Sequence, residues 1–510
     1  MPLSGKQLVA GQWIYGSAGE FTAINPANGQ QLPVVFSKAS EQQVHLTCKA
    51  AEHAYHSYGQ ASLTKRAGFL RGCAEQIMAL GDELLVRMEL ETGYTQQRCE
   101  TERARTVNQL LMFADAVETA EFLDPRVDAA LPNRKPLARP ELRFVNQPIG
   151  PVAVFAVSNF PLAYSTAGGD SASALAAGCP IVVKGHPSHP GTGELVAQAL
   201  QLAAAEHAMP EALISYIQGD NDRAAQALIK APEIKAIGFT GSQNAGMAIC
   251  KMAAKRPEPI PVFAEMGSIN PLILLPGALN TQARKIANDF VQSLTLGSGQ
   301  FCVKPGLVIA IESEQLEQFI AAVAQELRAV PAGVMLNQTI YQNYNSSVEA
   351  LKRSSVTQTE AQGKEPISTE GFYVQAHVFS VRAADFLRQP RLQEEVFGPC
   401  AVLVRCKQLA DISELVKHLQ GQLTASIHGE NEELKQLAPL IKLCSQKAGR
   451  TIVNGFPTGV EVCSSTVHGG PYPASSDPRF TAVGTAAIKR WLRPVCYQNF
   501  PEFLLPDLFK

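Results

Sequence analysis

The sequence predicts an α/β protein of two successive domains, each built around a mostly parallel sheet. Three observations carry that expectation. GPVAVFAVS, CPIVVKG, ISYIQG and KAIGFTGS are short apolar runs that end in Gly, Ser or Pro, with helical stretches between them. Runs of this kind suit strands covered on both faces, the setting of parallel sheets. The same texture resumes near Pro261 with PVFAEMG, NPLILLPG, GLVIAIES, CAVLVRC and TASIHG. Finally, 510 residues exceed what one ordinary core organises.

From the start of the chain, GQWIYGSAGEFTAINPANGQQLPVV reads as short strands between turn residues. From Glu41 to about Glu121 apolar residues recur three and four apart, the helical period. DPRVDAALPNRKPLARPELRFVNQPIG then breaks the helices and reads as a linker carrying an extended arm. The closing RWLRPVCYQNFPEFLLPDLFK is apolar and punctuated by proline, which suits a docking segment.

Composition narrows the classes. Hydrophobic residues make up 46% and charged residues 18%, which fits a globular enzyme and excludes a disordered chain. A net charge of −2 supplies no basic field for nucleic acid or anionic lipid. The opening stretch lacks the apolar core of a signal peptide, and no window reaches the roughly 18 apolar residues of a membrane span. Eleven cysteines are scattered without repeated spacing, so a cytoplasmic, disulfide-free protein is expected. His186 and His189 straddle Pro187 with no third ligand nearby, so no metal site is expected. Cys400 and Cys406 bracket AVLVR on one side of a strand and read as core.

Three residues stand where chemistry is plausible. Cys302 lies in LGSGQFCVKPG, on a Gly-rich turn that leaves a sulfur reachable. Glu265 ends the apolar run of FAEMGSINP, a position suited to a general base. Asn159 follows the strand in FAVSNFPLAY, and its amide can donate to a developing oxyanion. Taken singly, the cysteine also reads as packing, Glu265 as a loop carboxylate and Asn159 as a turn former before Pro161. Two further segments suggest a dinucleotide. Lys184 sits at the strand end of IVVKGHPSHPGT, able to bond ribose hydroxyls. Gly241 and Ser242 open a helix in IGFTGSQNAGMAIC, where backbone N–H groups attract phosphate. A GxGxxG fingerprint in the expected setting is absent.

Together and in order, SNFPLAY, IVVKG, FTGS, EMGSINP, GSGQFC, EEVFGP and NGFPTGV resemble the landmarks of the aldehyde dehydrogenase superfamily, from Ser158 to Val460. Ser268, Leu307 and the signature NGFPTGVEVCSSTVHGGPYPASSDPRF look like one branch of it. That branch holds the NADP-dependent 2,5-dioxovalerate (α-ketoglutarate semialdehyde) dehydrogenases and the bacterial fatty aldehyde dehydrogenases. The resemblance implies a Rossmann-type cofactor domain over 1–130 and 148–261, a catalytic domain over 262–477, and oligomerisation segments at 131–147 and 478–510. It implies a homodimer or homotetramer, with Arg143–Gln147 and the C-terminal segment pairing across a dimer.

It also implies roles. Cys302 would add to the aldehyde, Asn159 and the Cys302 N–H would hold the oxyanion, and Glu265 would activate water. Lys184 would meet the adenosine ribose, Ser242 the pyrophosphate, and Glu395 and Phe397 the nicotinamide end. Pro187 stands where many NAD-preferring members carry Glu, and Arg223 offers a partner for a 2′-phosphate, so NADP is expected, with NAD possible. The expected reaction is oxidation of 2,5-dioxovalerate to 2-oxoglutarate. A long-chain aldehyde is the alternative, with Phe155, Phe160, Phe301 and Phe456 as an apolar lining. Two further readings are a CoA-acylating enzyme, opposed by the intact Glu265, and a silent NADP-binding protein, opposed by Cys302, Glu265 and Asn159 together.

Overall fold

The computed structural model describes residues 2–220 and 222–509. Two seven-stranded sheets organise them. The first runs in the order Val262–Glu265, Ala236–Thr240, Val152–Phe155, Ile181–Lys184, Ile214–Ile217, Gln7–Val9 and Gln12–Ile14. Its first five strands are parallel, and the N-terminal hairpin adds two antiparallel strands at the edge. The chain lays down strands 152–155, 181–184 and 214–217 in one direction, then places 236–240 on the other side of 152–155. Such a reversal of strand order opens a crevice at the carboxyl ends of the two central strands.

Four helices, Glu41–Tyr58, Leu63–Ala79, Gly81–Thr92 and Gln96–Thr119, occupy the expected helical stretch. Ser40, Ser62 and Thr95 cap three of them by accepting from a backbone N–H in the first turn.

The second sheet runs Thr357–Gln362, His377–Arg382, Cys400–Cys406, Leu307–Ile311, Pro271–Leu274, Gln422–His428 and Ala448–Val453, parallel except for the first pair. Cys400 and Cys406 are both buried at the ends of their strand. Leu307 is likewise buried in the core of this sheet.

The division between the sheets differs from the expected one at 261. Val262–Glu265 pairs in parallel with Ala236–Thr240, Thr240 opposite Glu265, so this strand completes the first sheet. Ala264 is buried beside Ile237 and Phe239, which fixes the strand there. The stretch ending at 477 is not confined to the second domain either. After Val453 the chain returns to the first sheet, where Ser475 bridges Glu265 and Ser476 N–H donates to the Ala264 carbonyl. The arm begins earlier than 131, because Arg126–Asp128 and Leu492–Gln498 flank Leu142–Pro148 in a three-stranded antiparallel sheet. Among the described residues no helix is long and apolar enough to cross a membrane.

Candidate active site

A cavity of about 800 Å³ opens at the carboxyl edge of the first sheet, where the strand order reverses. Asn159, Gly241, Ser242, Glu265, Cys302, Glu395 and Phe397 all line it. Seven of the residues singled out in the sequence thus meet in one place.

The turn that carries Cys302 is shaped by left-handed backbone. Gly297, Ser298 and Gly299 have φ of 55°, 58° and 65°. At Gly299 a side chain has no room, since a Cβ would stand 2.4 Å from the Gly398 carbonyl carbon. The cysteine turn therefore docks directly on the loop that carries Glu395 and Phe397. Asn270 pins the turn from below, its Nδ2 donating to the Cys302 carbonyl at 2.8 Å and to the Lys304 carbonyl at 2.9 Å. Ser268 supports Asn270: its Oγ accepts from Leu423 N–H at 3.0 Å and lies 2.9 Å from both Asn270 Oδ1 and Gln422 Oε1. Among the described residues the Cys302 backbone N–H donates to no carbonyl. Asn159 Nδ2 donates to the Gln300 carbonyl at 2.9 Å, which fixes the amide and leaves its second proton for a ligand.

His468 joins this group and was not anticipated. Its Nε2 lies 3.3 Å from Cys302 Sγ and 3.1 Å from Glu265 Oε1. The donor atoms of Glu265, Cys302 and His468 all fall within 4.8 Å of one another. His468 and Glu265 are buried, and His468 N–H is anchored on Thr481 Oγ1 at 2.8 Å. Burial pushes the Cys302 thiol well above its usual range, Glu265 and Glu395 push it further, and Arg105 opposes them. The sulfur at rest is therefore a thiol, and a nearby base is required to ionise it. The only sequence sign of His468 was its place in the unusual VHGG stretch.

On the cofactor side Ser242 caps helix Gln243–Ala254, accepting from Ala245 N–H at 3.3 Å, so the helix N-terminus faces the cavity. Burial raises the Glu395 carboxyl to about 7, against the pull of Lys304. Gly267 lets the Glu395 carboxyl come close, since a Cβ there would stand 2.3 Å from Glu395 Oε2 and push that side chain aside. A helix N-terminus, a half-buried carboxylate and backbone bared by glycine suit a nicotinamide nucleotide. Lys184 ends its strand as expected and is buried, with Nζ donating to the Gly219 carbonyl at 2.6 Å and the Gly185 carbonyl at 2.8 Å. Burial lowers it to about 8. Arg223 is exposed on the first turn of Asp222–Lys230 and does not line the cavity. Pro187, His186 and Asp220 do line it, and Asp220 pairs with Lys38 at 2.6 Å.

The four aromatics separate. Phe160 and Phe301 meet edge to face at 5.3 Å beside Tyr164. Phe155 instead packs on Phe239 within the core of the first sheet, because its strand is covered on both faces. Phe456 packs on His428, 5.0 Å between rings, against the core of the second domain. His186 and His189 stack at 5.5 Å, and His189 Nε2 bonds the Val157 carbonyl.

A thiol on a turn, an oxyanion donor, a buried carboxylate and a nucleotide cleft define a cysteine-dependent dehydrogenase. The aldehyde dehydrogenase family profile matches residues 13–472, and the chain belongs to that family. It is 44% identical to alpha-ketoglutaric semialdehyde dehydrogenase 2 of Azospirillum brasilense, covering 99% of this chain and 96% of that protein. It is 43% identical to alpha-ketoglutaric semialdehyde dehydrogenase of Acinetobacter baylyi, with the same coverage. Among solved structures it shares the fold of aldehyde dehydrogenase C from Pseudomonas syringae, a mutant complexed with NAD+ and octanal. That match has a TM-score of 0.83 and 21% identity over 98% of this chain and 97% of the other. Betaine aldehyde dehydrogenase from Staphylococcus aureus in complex with NAD+ matches at TM-score 0.84, with 19% identity over 98% and 96%.

Proposed function

We propose that this aldehyde dehydrogenase oxidises 2-oxoglutarate semialdehyde (2,5-dioxovalerate) to 2-oxoglutarate, with NADP as the preferred cofactor. The observation that carries the substrate is near full-length similarity to two enzymes named for it. In the mechanism His468 Nε2 accepts the thiol proton across 3.3 Å. The thiolate then adds to the aldehyde carbon, and the oxyanion is held by Asn159 Nδ2 and the Cys302 N–H. In comparable sites one such donor lowers the barrier by roughly 3–4 kcal/mol. The bound nicotinamide supplies the hydride acceptor. Loss of hydride leaves a thioester on Cys302. Glu265 takes a proton from water, the resulting hydroxide attacks the thioester, and the acid departs as the sulfur regains its charge.

For NADP, the support is the absence of a carboxylate at Pro187 and the pairing of Asp220 with Lys38, which mutes the acidic side chain lining that end of the cleft. Arg223, exposed and outside the cavity lining but three residues beyond the lining residue Asp220, is the proposed partner for a 2′-phosphate that projects out of that end of the cleft. The exposed Val127, Leu131, Leu137, Phe503 and Leu504 on and around the arm favour a homo-oligomer. All eleven cysteines are free thiols, which supports a reducing, cytoplasmic setting.

Steady-state reduction of NADP and NAD with dioxovalerate and with a medium-chain aldehyde tests the reading. A higher kcat/KM for dioxovalerate with NADP is expected. Preference for the aliphatic aldehyde overturns the substrate, and preference for NAD overturns the cofactor choice.

A further inference from the structure

The helix Gln96–Thr119 presents Arg98, Glu102 and Arg105 at three- and four-residue spacing, so they share a face. Arg98 lies over Phe301 at 4.6 Å and Phe160 at 4.9 Å, and its charge is answered by Glu102 at 3.0 Å. Arg105 is different. Its Nη2 donates to Tyr164 Oη at 3.1 Å, and its guanidinium lies 5.5 Å from the Tyr164 ring centre. Its Nε is buried with no hydrogen-bond partner among the described residues. Tyr164 in turn lies 6.2 Å, ring to ring, from His468, which touches the nucleophile.

A second guanidinium arrives from the other domain. Arg450, on strand Ala448–Val453, donates through Nη2 to the Pro457 carbonyl, and its Nε is also buried and unpartnered. Among the described residues neither Arg105 nor Arg450 forms an ion pair with a carboxylate. The two feel each other's charge, and both feel the Cys302 sulfur. Glu102 answers part of the Arg105 charge across one helix turn, but neither guanidinium is ion-paired, and two half-buried like charges with unpartnered Nε groups are costly unless an anion joins them. Guanidinium forks match a carboxylate in shape and hydrogen-bond number.

We propose that Arg105 and Arg450 are the specificity-determining pair of the substrate site, clamping the carboxylate of a short anionic aldehyde whose carbonyl reaches Cys302. This rests on the semialdehyde reading above. An aliphatic chain entering there would leave both guanidiniums desolvated and unpaired.

The test compares dioxovalerate with uncharged pentanal in the wild type and in Arg105→Gln, Arg450→Gln, Arg105→Lys and Arg450→Lys. The readout is the ratio of the two kcat/KM values within each protein, which cancels any loss of folded enzyme. Each Gln variant is expected to lower that ratio about 10- to 100-fold, mainly through KM for the anion, with partial recovery in the Lys variant. A wild type that prefers dioxovalerate, with both Gln variants losing activity equally on the two substrates, overturns the clamp and leaves the substrate reading intact. A wild type that prefers pentanal overturns both.

Discussion

On the cofactor side of Cys302 the site is made of strand ends and the turns that follow them. On the substrate side it is made of long side chains from helix Gln96–Thr119, from strand Ala448–Val453 and from the returning segment near His468. Most of the first side is fixed by backbone hydrogen bonds within the first sheet, so its geometry follows from local sequence, and Glu395 and Phe397 join it from the second domain. The second is assembled from residues more than 300 positions apart, and only the tertiary fold brings them together. The two sides are also charged differently: Glu265 and Glu395 face the cleft, whereas the positive charges that interact with the Cys302 sulfur come from Arg105 and Arg450.

The contrast is best broken at its centre. Cys302→Ala removes the nucleophile shared by both sides, and turnover measured by cofactor reduction is expected to fall by about 10⁴-fold or more. Next in size are the two partners of the sulfur. Glu265→Gln is expected to retain a burst of reduced cofactor of one per site and then to turn over about 10²- to 10⁴-fold more slowly, because only the thioester step needs it. His468→Gln is expected to lose the burst itself, with the rate recovering as pH rises, because the thiol is then ionised by solvent base alone. Rapid-mixing absorbance separates the two, and an unchanged burst in His468→Gln sinks its role as the thiol's base.

A smaller effect is expected at Glu395. Its carboxylate is the form that accepts from ribose hydroxyls, and with a pKa of about 7 that form grows as pH rises through neutrality. Lys184, at about 8, loses its charge just above. KM for the cofactor should therefore be lowest between pH 7 and 8, and Glu395→Gln should flatten the acidic limb. The smallest expected change is Ser268→Ala. It strands the Leu423 N–H, at about 1–3 kcal/mol of stability in denaturant unfolding, with KM for both substrates nearly unchanged.

The same contrast explains what could be read from the chain before its fold was known. Asn159, Glu265 and Ser242 were legible because each follows an apolar strand at a glycine or proline turn, and Cys302 because its neighbours are glycines. His468 was not, since it lies in an irregular stretch with no period to mark it. Arg105 looks like any charge on a helix, and Arg450 like any charge on an edge strand. Phe155 packs on Phe239 in the core and not along an apolar lining, because an aromatic on a strand covered on both faces can be core on either side. The strand Val262–Glu265 misled because a parallel sheet takes its last strand from wherever the crossover ends. Thr357–Gln362, His377–Arg382 and Ala448–Val453 were not singled out, two of them being edge strands with a partly polar pattern.

The return of the chain to the first sheet after Val453 has a consequence for biosynthesis. A ribosome releases Cys302 well before it releases His468, Ser475 and Ser476. Until those residues emerge, the thiol has no imidazole beside it and the last strand of the first sheet lacks its bridge. A chain truncated before 468 therefore keeps Cys302 but lacks both the imidazole beside the sulfur and the bridge that Ser475 makes to the first sheet.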